Sequence, residues 1–81
     1  MTLIEFLSVM QTSRHGIYPL IHIADYGTGS DIEGDFGYVD DVLNLKNDSE
    51  FGFLLDAEVD HVDFSKSVSG DLYLDIEVYS N

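Results

Sequence analysis

The chain has 81 residues, of which 44% are hydrophobic, with five Phe, five Tyr and no Cys, and 16 Asp and Glu stand against three Lys and Arg for a formal net charge of −13. That length allows one domain, residues 1–81, with enough apolar material for a single thin core and no need of a staple. Disulfides, thiolate metal sites and cysteine nucleophiles are excluded, direct nucleic-acid binding is opposed by phosphate repulsion, and no apolar run reaches the roughly 18 residues of a membrane span.

Thr2 with Glu5 three residues on is a capping-box pattern, and Leu3, Phe6, Leu7 and Met10 follow at helical spacing. A first helix is expected over Thr2 to Thr12, stopped by Gly16. The β-branched and aromatic stretch Ile17 to Tyr26 predicts a strand buried on much of both faces, with Pro19 at an edge or a strand start and His22 a core histidine. Gly27-Thr-Gly-Ser-Asp31 has turn chemistry and predicts a hairpin onto a second strand around Ile32 to Tyr38. Asp40 and Asp41 sit where the dipole of a new helix favours negative charge, so a short second helix is expected to run to about Lys46 and Asn47.

Asn47 to Asp56 is expected to form a loop or single turn whose aromatics, Phe51 and Phe53, plug the core. Glu58 to Ser65 and Leu72 to Tyr79 predict a second hairpin, joined by Lys66-Ser-Val-Ser-Gly70-Asp71, with Val62 and Phe64 pointing inward. The fold class is therefore α+β in the order α-β-β-α-β-β: an N-terminal helix, a hairpin, a short helix and a C-terminal hairpin, forming an antiparallel sheet with the helix packed on one face.

Two acidic surfaces follow from this layout. Along the last strand Asp71, Tyr73, Asp75, Glu77 and Tyr79 alternate outward about 6.7 Å apart, with Asp63 and His61 expected beside them. A solvent-facing strand always shows some polar alternation; a ladder of fixed negative charge is also what a nucleic-acid-binding groove is built to neutralise. The second surface is Asp25, Asp31, Glu33 and Asp35 on and after the hairpin loop, continued by Asp40 and Asp41, six carboxylates in 17 positions with no base among them. It is expected to be the primary contact, because a hairpin loop and helix start project farther than a strand face.

The charge must cost stability, since two carboxylates about 7 Å apart in water repel by roughly 0.6 kcal/mol. Three explanations compete: solubility or a halophilic origin, steering toward a cationic partner, and a carboxylate calcium site. Asp31-Ile-Glu33-Gly-Asp35 lacks the EF-hand register, so no metal and no cofactor is expected. His15, His22 and His61 fall on separate elements with no metal or catalytic spacing, and neither a nucleophile elbow nor a phosphate loop exists, so the chain is not expected to be an enzyme.

The start Met1-Thr-Leu-Ile-Glu-Phe-Leu, the strand Ile21-His-Ile-Ala-Asp-Tyr26, the glycine turn and short helix, and Leu54-Leu-Asp-Ala-Glu-Val-Asp60 before two strands together resemble, in layout, small acidic proteins of phages and prophages of Gram-positive bacteria. The likeness covers nearly the whole chain in element order, size and charge. It implies an anti-CRISPR or anti-restriction inhibitor that imitates DNA in the cytoplasm of a bacterial host; such inhibitors share no signature, so no residue role is carried over. The expected partner is a basic protein surface, above all the DNA-binding groove of a CRISPR effector. The alternatives are an acidic module that binds another basic host or virion protein, and a calcium-dependent binding domain.

Overall fold

Thr2 and Glu5 close the first turn of the chain in both directions. Thr2 N donates to Glu5 Oε1 at 3.0 Å and Glu5 N to Thr2 Oγ1 at 3.4 Å. Such a box supplies acceptors that N–H groups at the start of a helix otherwise lack, about 1 kcal/mol for the cap. Helix α1 then spans Leu3–Gln11 in the computed structural model, which describes residues 1–11, 19–27 and 32–80. The expected helix end at Thr12 and Gly16 and the strand start at Ile17 lie outside the described residues.

Buried Pro19 immediately precedes strand β1, Leu20–Asp25, as a residue without an N–H should. Strand β2 is Glu33–Asp35, three residues of the longer strand expected, and it pairs antiparallel with β1. Helix α2, Val39–Leu43, tightens into a 3-10 helix at Asn44–Asn47, and a second 3-10 helix occupies Gly52–Asp56. Leu54 and Leu55 of that turn are buried, whereas Phe53 is exposed and Phe51 is half-buried, edge-on to Phe36 at 5.7 Å. Of the two aromatics expected to plug the core, Phe51 packs against it and Phe53 does not; Leu54 and Leu55 take the inward side of the turn instead.

Strands β3, Glu58–Lys66, and β4, Leu72–Tyr79, form the expected hairpin, with Gly70 at φ +92° where the turn needs a left-handed residue. A register shift between Val59 and His61 leaves Asp60 without a partner across the pair. The class is α+β as expected, with two helices, but the sheet is mixed, not antiparallel, in the order β2-β1-β4-β3. β1 runs parallel to β4, with Ile21 beside Leu74, His22 beside Asp75 and Ile23 beside Ile76. The two most apolar strands take the centre, where both edges of each are paired. The acid-rich β2 and β3 are left at the rims, the usual arrangement for charged strands.

One face of the sheet is core: Ile21, Ile23, Leu74, Ile76 and Val78 are buried with Leu3 and Leu7 of α1, Val42 of α2 and Leu54. Phe64 shares that side but is 61% exposed and stands outside the core cluster, so the expected inward pair reduces to Val62. None of the described helices packs over the opposite face. No helix among the described residues is long and apolar enough to cross a membrane.

Candidate interaction face

Side chains alternate across a strand, so the parallel pairing of β1 with β4 decides what the open face carries. From one rim to the other it reads Glu33 and Asp35 on β2, Leu20, His22 and Ala24 on β1, Tyr73, Asp75, Glu77 and Tyr79 on β4, and Glu58, His61, Asp63 and Ser65 on β3. Six carboxylates occupy it. Of the lysines, Lys46 lies in the helical layer and Lys66, opposite Leu72, points to the core side. A concavity of about 320 Å³ at the centre is lined by His22, Glu33, His61, Asp63, Asp75, Ile76 and Glu77.

The two acidic surfaces expected from sequence thus merge in part. Glu33 and Asp35 join Asp63, Asp75 and Glu77 on one face, since β1 bridges the hairpins. Asp40 and Asp41 do not join them; they lie on α2 in the helical layer, where Asp41 Oδ2 accepts from Tyr38 N at 3.0 Å and caps the helix. Asp25 is buried at 3% exposure on the core side, accepting from Gly27 N at 2.8 Å, Ser80 N at 3.0 Å and Ser80 Oγ. Its carboxylate ties the turn after β1 to the end of β4. Asp31 lies outside the described residues.

Asp63 stands directly across from Asp75. Like charges at about 5 Å across a strand pair are destabilising, so this face keeps a repulsion that a purely structural sheet would lose. His22 is the counterweight, and it is not the core histidine expected: its side chain is 28% exposed on the open face. Its Nδ1 lies 2.9 Å from Asp35 Oδ1 and its Nε2 3.4 Å from Glu33 Oε1. Carboxylates only accept, so both bonds together require the imidazolium.

Partial burial pulls the His22 pKa down, but the hydrogen bonds to Asp35 and Glu33 and the charges of Asp35 and Asp75 outweigh it, and the net shift is upward. A group with a raised folded pKa contributes stability that is complete below its unfolded value, near 6.5, and is lost as pH rises through the folded value. His22→Gln is therefore expected to cost about 0.5–1 kcal/mol at pH 5.5 and close to nothing at pH 9. Urea denaturation of both proteins at the two pH values checks this; an equal loss at both would mean that packing, not charge, holds His22.

Comparison with family models, with curated proteins and with solved structures finds no match to this chain. Among the described residues no group of three or more His, Asp or Glu side chains is arranged to hold a metal ion. Sequence reasoning identified the ladder and the acids of β2 separately. It missed His22 as their link and Tyr26 as a neighbour of Tyr79, 6.1 Å between ring centroids. The even-numbered parity of His22, Ala24 and Tyr26 was legible; the strand that lies beside them was not.

Proposed function

We propose that this protein is an inhibitor of the phage type, whose open acidic sheet face occupies the basic nucleic-acid groove of a bacterial defence nuclease, a CRISPR effector first among them, in the place of DNA. The observation that supports the reading is the continuity of the face: carboxylates on β2, β4 and β3 share one rigid surface, held at strand spacings of about 4.8 Å between strands and 6.7 Å along them. A groove that neutralises phosphates with Lys and Arg gains the same contacts from such an array and releases the same counterions. A fixed array costs little ordering entropy on binding, unlike carboxylates on a mobile tail.

Steering by net charge should make the association rate fall steeply between 20 and 300 mM salt. The test uses a panel of purified defence nucleases, each presented free and already loaded with its labelled DNA duplex. Displacement of the duplex, together with failure to bind the loaded form, is the expected result. Equal binding to free and loaded nuclease would replace mimicry by an acidic module that docks elsewhere on a basic protein.

A further inference from the structure

Tyr26 and Tyr79 are side by side at the end of the open face where β1 and β4 finish, with the Tyr26 N–H bonded to the Val78 carbonyl at 2.9 Å. Their rings are in contact, tilted by 46°, and 55% and 47% of the two residues remains exposed. The apolar faces of such a pair cover each other only in part. Glu77 precedes Tyr79 by two residues on the same face, and its neighbours across the sheet are His61 on β3 and the small Ala24 on β1. Ala24, itself buried at 6% exposure, is the one β1 side chain on this face beside Glu77, and it is small.

A carboxylate two residues from an exposed aromatic ring on one strand face, about 6.7 Å apart along the backbone, is suited to a flat cation. Guanidinium stacks on tyrosine while its edge donates to carboxylate; the compact, strongly hydrated ammonium of lysine does one or the other. We propose that Tyr26, Tyr79 and Glu77 form a guanidinium site, so that the side chain by which a partner anchors on this face is an arginine. The inference rests on the reading of the face as a surface for a basic protein and adds the residue type that it selects. The remaining acids around the central concavity hold neighbouring cations of either kind, and selectivity sits at the tyrosine end.

Hexa-arginine and hexalysine carry equal charge and serve as probes in isothermal titration at 50 and 150 mM salt. The arginine peptide is expected to bind about two- to fivefold more tightly, the gain from one stacked guanidinium. Tyr26→Leu with Tyr79→Leu should abolish the preference while leaving the lysine peptide's affinity within about twofold; Tyr26→Phe with Tyr79→Phe, which keeps the rings, should retain it. Glu77→Gln should weaken both peptides and reduce the preference. Circular dichroism confirms that each variant folds, and the comparison of the two peptides on the unaltered protein needs no variant. Equal affinities there, or a preference that survives the double leucine change, would overturn the arginine site and leave the acidic-face reading standing. Failure of both peptides to bind would overturn both.

Discussion

Replacing Asp63 and Asp75 together by Asn is expected to make the protein more stable and a worse binder. The two carboxylates face each other across β3 and β4, and at about 5 Å their repulsion is near 1 kcal/mol even at the dielectric constant of water. The side-chain amide carbonyl at position 63 would still accept from the Phe64 N–H, as Asp63 Oδ1 now does at 3.0 Å, so, at a pH where His22 is neutral and its attraction to Asp75 is absent, the change removes repulsion and little else. A gain of about 1 kcal/mol raises the melting temperature of a domain this size by roughly 4–8 °C. Salt should diminish the gain, since it screens the repulsion in the parent protein. Against a partner's basic groove the same variant loses two charges at the centre of the concavity, and stripping a desolvated charge pair of one member costs about 2–5 kcal/mol. Affinity is thus expected to fall more than tenfold. Calorimetric melting and titration against the basic partner measure the two effects on one sample. A variant that gained stability and kept its affinity would move the contact surface off this face; one that lost stability would mean that the Asp63 and Asp75 carboxylates are paired with cations in the folded chain.

Asp25→Ala should produce the largest loss of stability of any acid-to-neutral change in the described residues, with no direct effect on binding. The carboxylate holds the backbone N–H groups of Gly27 and Ser80 and the Ser80 hydroxyl, and it ties the turn after β1 to the residue after β4. Removing it strands donors in a buried corner, where each costs about 1–3 kcal/mol and a bond to a charged group is at the upper end. A loss of about 3 kcal/mol is expected, a large part of the total stability of an 81-residue domain. The corner has no room for a replacement contact: an added Cβ on Gly27 would collide with the Ser80 backbone. Gly27→Ala should therefore be destabilising as well, and combining the two changes should cost less than their sum, because they disrupt one contact. Urea unfolding of the single and double variants gives these values. Near-neutral behaviour of Asp25→Ala would show that water replaces the carboxylate there.

Much of this was decided locally. The Thr2 and Glu5 box, the strand signal of Leu20 to Tyr26, the turn around Gly70 and the two-residue alternation from Leu72 to Tyr79 depend on neighbours within a few positions, so the α+β class, the C-terminal hairpin and the acidic side of β4 follow from the sequence by itself. So does the magnitude of the charge, and with it the repulsion that the fold must tolerate. The identity of strand neighbours does not, since hydrophobic alternation gives each strand a buried face without saying which strand it lies beside. Two hairpins joined by helices can meet edge to edge in several ways, and only burial of the full core selects β1 against β4 in parallel. That choice moves Glu33 and Asp35 to the ladder, sets His22 between them and Asp75, and brings Tyr26 beside Tyr79. It also takes Asp25 into the interior: its odd-numbered parity with Ile21 and Ile23 gave the direction, but a buried carboxylate is tolerable only with donors, and those come in part from Ser80, 55 residues away. Long-range pairing, which no local signal encodes, turned two acidic segments into one surface.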